Sequence, residues 1–280
     1  VWVLQPRAGG VEVRAFAPAL RHTLPNGVCL GPDGTLYLAE MNRVMRFPAA
    51  VQALQRARVE WFDVVPPGRL VPEGEAQPGH GARTCRIGPD GKLYITLGQP
   101  YNVPPRDKLA LYRQWGIGGI VRMNASDGSA REVFATGIRN SVGLDFNPRD
   151  GSLWFTDNQT DHMGDDIPKG ELNRATRAGQ FFGYPWTNAG TRITEHGYDR
   201  DPLPADIVEP QAAMDAHAAD LGLAFYAGRQ FPEKYRGGIF SAQHGSWNRS
   251  KPIGARVMFT PLKADGSAGT PEVFADRKST

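Results

Sequence analysis

The chain has 280 residues and a formal net charge of +3, and 40% of its residues are hydrophobic, which is too many for a disordered protein. The small charge and the lack of a lysine- and arginine-rich block argue against a nucleic-acid partner. No apolar run approaches the roughly 18 residues of a transmembrane segment, and no signal peptide is recognisable.

One pattern occurs three times along the chain: an apolar strand, a turn with Asp-Gly at its tip, and a strand rich in apolar and aromatic residues. The turns lie at 31–34, 88–91 and 147–151, about 57 to 59 residues apart. Asp-Gly between such strands predicts a hairpin, because glycine tolerates the positive φ that tight hairpins require. A degenerate fourth unit pairs 221–226 with 238–243, and a last hairpin pairs 256–262 with 271–274.

Repeated four-stranded units at this period predict an all-β fold, a β-propeller. No long amphipathic helix separates the strands, which argues against a parallel α/β sheet; short helices are predicted at 49–58 and 108–114. About four blades can be counted. Because residues 1–4 resemble the last strand of one blade and 274–280 the start of another, we expect one propeller domain over 1–280, of the six-bladed type, with incomplete first and last blades.

Two cysteines, Cys29 and Cys85, fall in predicted strands. One interpretation is two buried, unpaired thiols. A disulfide remains open, because the distance between two cysteines cannot be read from sequence. The redox compartment is therefore not determined by these residues.

His80 lies between two glycines, directly before the strand that leads into the second Asp-Gly turn. This position is at the start of an inner strand, near the channel where propellers bind ligands, and the glycines allow a ligand to approach the backbone. Histidine is the usual general base at neutral pH. His80 is therefore a candidate base, and the alternative is a loop histidine that caps a turn.

Two further segments offer cationic and aromatic side chains. Arg139 and Asn140 occupy the position equivalent to His80 one blade later; arginine presents a fork of donors to carboxylates, and the alternative is an ordinary turn between blades. The segment 244–256 combines one aromatic ring with three cations, which suits a planar ligand with several negative charges. Its alternative is an exposed polar loop.

The loop 157–166 is acidic and follows a predicted strand directly. Four aspartates and neighbouring carbonyl groups could bind a hard cation. The spacing differs from that of an EF-hand loop, so an ordinary solvated turn is the alternative.

Taken together, three stretches resemble the glucose/sorbosone dehydrogenase family. They are 137–185, which contains Gly-Ile-Arg-Asn-Ser and Leu-Trp-Phe-Thr-Asp-Asn; 236–249, which ends His-Gly-Ser-Trp-Asn-Arg; and 25–43. The sorbosone-dehydrogenase-like branch fits best. The resemblance implies a six-bladed propeller that binds pyrroloquinoline quinone (PQQ) with calcium, and that oxidises an aldose or a related aldehyde such as sorbosone by hydride transfer to the quinone.

The resemblance also implies roles for individual residues. His80 would take the proton of the sugar hydroxyl. Contacts to the cofactor would come from Gln99, Arg139, Asn140, Trp247, Arg249, Lys251 and Arg256. The metal would lie near Asn158, Gln159, Thr160, Asp165 and Asp166. The family further implies a periplasmic or secreted protein and an external electron acceptor, a cytochrome or a quinone. In one departure, the cysteine pair that related chains carry is absent from 98–103.

Two other functions remain open at this point. A six-bladed metal-dependent lactonase would need a Glu/Asn/Asp metal cluster and no basic cofactor site, and Arg139, Arg249 and Lys251 argue against it. A non-catalytic binding propeller would keep the fold alone; His80 together with Arg139 and Asn140 argues for catalysis.

Overall fold

The structure, a computed structural model, describes residues 1–54 and 59–276. Nearly all of its regular structure is short strands, with one short α-helix, α1 (Leu109–Trp115). In chain order the strands are β1 (Trp2–Arg7), β2 (Gly10–Ala15), β3 (Gly27–Leu30), β4 (Leu36–Glu40), β5 (Arg43–Phe47), β6 (Phe62–Val65), β7 (Cys85–Ile87), β8 (Lys92–Leu97), β9 (Gly119–Asn124), β10 (Glu132–Thr136), β11 (Leu144–Phe146), β12 (Leu153–Asp157), β13 (Gly170–Ala175), β14 (Gln180–Phe181), β15 (Thr187–Asn188), β16 (Thr191–Arg192), β17 (Ala212–Met214), β18 (Asp220–Phe225), β19 (Ile239–Gln243), β20 (Arg256–Thr260) and β21 (Glu272–Asp276).

Four sheets form the blades of a propeller. Blade A is β3-β4-β5-β6, blade B is β7-β8-β9-β10 with β14 at its edge, blade C is β11-β12-β13-β17, and blade D is β18-β19-β20-β21. Their first strands, β3, β7, β11 and β18, lie side by side in that order. The loops that precede these strands therefore meet around a common axis.

The all-β propeller is confirmed, but the expectation of six blades was wrong for this chain, because the described residues form four. At the observed repeat spacing, 280 residues accommodate fewer than five blades. The segment from 274, expected to begin another blade, belongs to β21, which pairs with β20 and completes blade D; residues 277–280 lie outside the described residues. Residues 2–4 belong to β1, which pairs with β2 in a two-stranded sheet of its own.

Of the two predicted helices, that at 108–114 is confirmed by α1. It ends at Trp115, because the next residue, Gly116, has a φ of 71° in the left-handed region. The prediction at 49–58 was wrong for 49–54, which form turns; Ala49 has a φ of 51°, which is not helical. Residues 55–58 lie outside the described residues.

The Asp-Gly turns form as predicted because the aspartate closes each of them locally. Its carboxylate accepts a hydrogen bond from the backbone N–H two residues later, an arrangement that stabilises tight turns. The three N–H to carboxylate distances are 3.0 Å for Thr35 to Asp33, 3.1 Å for Lys92 to Asp90 and 2.9 Å for Ser152 to Asp150.

The two cysteines form a disulfide between Cys29 in β3 and Cys85 in β7, with their Cα atoms 5.7 Å apart. The interpretation as two unpaired thiols was therefore wrong. Sequence could not decide the point, because the pairing depends on β3 and β7 being the adjacent inner strands of blades A and B.

Replacing both cysteines with serine should lower the free energy of unfolding by about 2–4 kcal/mol, because the crosslink restricts the unfolded chain. Urea unfolding with and without a reductant measures this. The double variant should be insensitive to reductant, whereas the parent chain should become less stable in it. Equal stability of the parent chain under both conditions would contradict the prediction.

Candidate active site

A cavity of about 220 Å³ opens where the loops before the inner strands meet the loops after the second strands of the blades. Its walls come from His80, Arg139, Asn140, Asn158, Gln159, Asp161, His217, Ala219, Leu221, His244, Trp247 and Asn248. Of the residues predicted from sequence, the structure brings together His80, Arg139, Asn140, Asn158, Gln159 and Trp247.

The His80 ring is oriented by a backbone carbonyl. Its Nδ1 lies 2.6 Å from the carbonyl oxygen of Gln99. A carbonyl only accepts, so Nδ1–H donates and Nε2 of the neutral ring keeps its lone pair. Burial, together with the nearby cation of Arg139, lowers the pKa of His80 to about 4, although Asp161 acts in the opposite direction. At neutral pH the ring is therefore an unprotonated base.

This pKa predicts an acid-sensitive contribution to stability. The pKa of His80 is about 4 in the folded chain and near 6.5 when unperturbed, so the unfolded state binds more protons between these values. The contribution of neutral His80 is complete above pH 6.5 and is lost as the pH falls through about 4. Urea unfolding across this range should show that the free energy of unfolding falls more steeply with pH in the parent chain than in His80→Gln. An identical pH dependence in the two proteins would contradict the lowered pKa of His80.

The Arg139 side chain is 3% exposed and connects two loops. Its Nε donates to the Asn102 carbonyl at 2.9 Å, and Nη2 donates to Asn102 Oδ1 and Asp161 Oδ2, each at 2.8 Å. Nη1 donates to the Asn158 carbonyl at 3.3 Å. The guanidinium group therefore has one orientation, and Asp161 supplies a carboxylate to the same cavity.

The backbone of Arg139 and Asn140 is fixed by Asp157 at the end of β12. One carboxylate oxygen accepts from the Arg139 N–H at 2.9 Å and the other from the Asn140 N–H at 2.7 Å. Burial, together with the neighbouring Glu171 carboxyl on β13, raises the pKa of Asp157 to about 8. Burial also raises the pKa of Glu171, as expected for two adjacent carboxyl groups that do not ionise together readily.

The donor atoms around the cavity fit a hard cation in part. Gln159 Oε1 and Asn248 Oδ1 are buried and have no hydrogen-bond partner among the described residues. Amide and carboxylate oxygens are the ligands that calcium prefers. Asp161 is the neighbouring carboxylate, and it also accepts from Asn248 Nδ2 at 2.8 Å. Within residues 1–54 and 59–276, no group of three His, Cys, Asp or Glu side chains is arranged for a metal, so a cation here would depend on amide and backbone oxygens.

Arg249, Asp165 and Asp166 lie beside the cavity and contact one another. Arg249 Nη1 donates to the carbonyl oxygens of Asp165 at 2.6 Å and Ala216 at 3.1 Å, and Nη2 is 3.5 Å from the Asp166 carboxylate. Ser250 N–H donates to the Asp165 carboxylate at 3.1 Å. Their expected contacts to cofactor and metal remain predictions.

The other expected cofactor ligands of segment 244–256, Arg256 and Lys251, do not line the cavity. Arg256 donates to Gln243 Oε1 at 2.6 Å and forms an ion pair with Asp215. It lines a neighbouring groove of about 550 Å³ that also contains Trp247, a side chain that is 71% exposed and contributes to both spaces. Lys251 is exposed.

Two predicted residues are buried behind the cavity wall. Thr160 donates through Oγ1 to Asn188 Oδ1 at 2.8 Å, so its hydroxyl is already occupied. Gln99 orients His80 through its carbonyl, and its side-chain Nε2 donates to the Tyr101 carbonyl.

Sequence reasoning missed six residues of the cavity wall, namely the polar Asp161, His217, His244 and Asn248 and the apolar Ala219 and Leu221. Asp161 was visible only as one of several aspartates in an acidic loop, and Asn248 as the neighbour of Trp247. His217 lies before β18 as Arg139 lies before β11, so aligning the fourth, degenerate repeat with the others could have found it. Its Nδ1 lies 3.2 Å from Gln159 Nε2.

The comparisons with known proteins identify the family. A sequence model named Glucose / Sorbosone dehydrogenase matches residues 70–244, a range that contains His80, Arg139 and the acidic loop. The chain belongs to the glucose/sorbosone dehydrogenase family. The resemblance stated from sequence is therefore confirmed at the level of the family.

Two curated relatives are longer than this chain. An uncharacterized protein of Borreliella burgdorferi is 33% identical over 204 residues, which cover 72% of this chain and 50% of that protein. An uncharacterized protein of Synechocystis is 28% identical over 194 residues, or 60% of this chain and 44% of that protein. The chain thus spans about half the length of these curated relatives.

Solved structures share the fold. A Trichoderma reesei carbohydrate-active enzyme of family AA12 has a TM-score of 0.72 at 22% identity, over 96% of this chain and 74% of that chain. The holo PQQ domain of pyranose dehydrogenase from Coprinopsis cinerea has a TM-score of 0.70 at 18% identity, over 97% of this chain and 73% of that chain. At these identities the likeness shows the fold alone.

Proposed function

We propose that this member of the glucose/sorbosone dehydrogenase family oxidises an aldose or a related sugar aldehyde, such as sorbosone, with PQQ as the acceptor and His80 as the base. The observation that carries the proposal is the His80 ring itself. It is neutral at pH 7, its Nδ1–H is engaged by Gln99, and its Nε2 is unprotonated in a cavity shared with Arg139 and Asn140.

The cavity residues fit an anionic, planar cofactor. Arg139 supplies a fixed cation, Asn140 an amide whose backbone is fixed by Asp157, and Trp247 an exposed aromatic ring. PQQ, when bound, would supply the two-electron acceptor for the hydride that leaves the sugar carbon. Arg249, Lys251 and Arg256 would contribute positive charge at the rim. Calcium would bind near Gln159, with Asn158, Thr160, Asp165 and Asp166 as further candidates.

The protein's own part in the reaction is proton transfer and orientation. The anomeric hydroxyl of an aldose, or a hydroxyl of the hydrated aldehyde, would donate to His80 Nε2. This nitrogen would take the proton as the C–H bond of the same carbon breaks and the C–O bond gains double-bond character. Gln99 keeps the ring in one orientation throughout, because Nδ1–H donates to its carbonyl in both protonation states. Asp161 would offer a carboxylate oxygen as acceptor for another hydroxyl of the sugar.

We further propose a periplasmic or secreted location and an external electron acceptor, a cytochrome or a quinone. The Cys29–Cys85 disulfide supports an oxidising compartment. No helix in the described part of the chain has the length and apolar character needed to cross a bilayer.

Titration of the purified chain with PQQ and calcium, followed by absorbance, tests the proposal. We expect saturable binding that a calcium chelator weakens, and bleaching of the bound quinone by aldoses with reduction of a dye. A parallel assay of lactone hydrolysis without PQQ addresses the lactonase alternative. Absence of quinone binding, or lactone turnover in its place, would overturn the proposed function.

A further inference from the structure

Arg83 is a buried cation three residues after His80, with 1% of its surface exposed. Its Nε donates to the Met41 carbonyl at 3.0 Å, and its Nη1 donates to the carbonyls of His80 at 3.1 Å and Gly98 at 3.4 Å. One guanidinium group thus joins the turn after β4 in blade A, the loop before β7, and the loop after β8.

The charge of Arg83 has no acidic partner in the part of the chain that the structure describes. Buried cations are normally paired, because an isolated charge is costly in a low-dielectric interior. In the described ranges, no carboxylate forms an ion pair with Arg83, and burial alone lowers its pKa, to about 10. The side chain therefore remains a cation at neutral pH, with three carbonyl oxygens as its partners.

The loops that Arg83 joins also orient the base. Gly98 and Gln99 are consecutive: the carbonyl of Gly98 accepts from Arg83, and the carbonyl of Gln99 accepts from the His80 ring. The approach is close, because a Cβ atom on Gly98 would lie 2.7 Å from the His80 carbonyl oxygen. Displacing Arg83 would therefore move the backbone of His80 and the partner of its ring together.

We propose that Arg83 is a positioning residue for His80, which fixes the imidazole in the cavity and disfavours its protonation. This inference rests on the proposed role of His80 as the base. Arg83 touches His80 through the backbone carbonyl, so it acts on the reaction through His80 and not through substrate contact.

The charges that face His80 agree with this role. Arg139, from the loop before β11, and Arg83 both oppose protonation of the ring, whereas Asp161, from the loop after β12, favours it. His217 and His244 line the same cavity. Removing the charge of Arg83 should thus make the imidazolium form of His80 easier to reach.

The test is an NMR titration of the histidine rings in the chain without cofactor, with the His80 signal assigned by its loss in His80→Gln. In Arg83→Met we expect the His80 midpoint to rise by roughly a few tenths of a pH unit, because burial and Arg139 oppose protonation of the ring more strongly than Arg83 does. In Arg83→Lys the cation remains, so the midpoint should change little, but the fork of donors is lost and the His80 signal should broaden or split. Arg131→Met is the control, because Arg131 is a half-buried arginine of blade B that donates a hydrogen bond to the Trp115 carbonyl and does not line the cavity.

An unchanged His80 midpoint in folded Arg83→Met would overturn the electrostatic part of the proposal. A single, sharp, unshifted His80 signal in Arg83→Lys would overturn the proposal that Arg83 positions the ring. If Arg83→Met does not fold, the result for Arg83→Lys alone decides whether the proposal stands. Since no cofactor is present, the result is independent of whether the chain is a dehydrogenase. In active protein, Arg83→Lys should lower kcat at least tenfold with a smaller change in KM.

Discussion

Replacing His80 with alanine should lower kcat by a factor of about 100 to 10,000, the usual contribution of a general base. Binding of PQQ should stay close to that of the parent chain, because the positive charge in the cavity comes from Arg139 and not from the neutral His80 ring. Dye reduction with an aldose measures the first quantity, and the absorbance titration of the quinone measures the second.

The matched control is His196→Asn, which removes a more exposed imidazole outside the cavity and substitutes a residue that tolerates the φ of 55° at this position. This variant should keep the activity of the parent chain. Turnover in His80→Ala comparable to that of the control would exclude His80 as the base.

The second large effect is expected for Arg139→Met. The change removes four side-chain hydrogen bonds and leaves Asp161 without its cation, so the free energy of unfolding should fall by about 3 kcal/mol. The affinity for PQQ should fall at least 30-fold, because the fixed cation of the cavity is lost. Urea unfolding and the quinone titration measure the two effects separately.

Two controls separate charge from geometry at this position. Arg139→Lys keeps the charge but not the fork, so it should recover part of the stability and little of the affinity. Arg177→Met, at an exposed position, should change neither quantity. Affinity for PQQ in Arg139→Met equal to that of the parent chain would show that the cofactor does not use this cation.

The blades could be predicted because each hairpin is determined locally. An aspartate that accepts from the N–H two residues later, followed by glycine, closes the turn without help from the rest of the chain, as Asp33 shows. The number of blades, the Cys29–Cys85 disulfide and the pairing of β14 with β10 were not predictable in this way. Each depends on which strands become neighbours after the whole chain has folded.

The same difference, between features determined locally and features that depend on the whole fold, explains which site residues could be predicted. His80, Arg139 and Asn140 could be predicted because they occupy equivalent positions in successive repeats, and the repeat places such positions around the axis. The hydrogen-bond partners of Arg249 could not be predicted, because they depend on the path of the loop that follows β12. The roles of Asp161 and Arg83 likewise follow from contacts between loops of different blades.

Strand β14 also affects how copies of this protein could associate. It pairs in parallel with β10, through Ala135 with Gln180 and Thr136 with Phe181, after the chain has left blade C. Unpaired strand edges are templates for pairing with another chain. In the described part of the protein, β6, β17 and β21 end their sheets, whereas β10 is partly covered, at Ala135 and Thr136. Association through the outer strand edges of the blades is therefore expected to begin at blades A, C or D rather than at blade B.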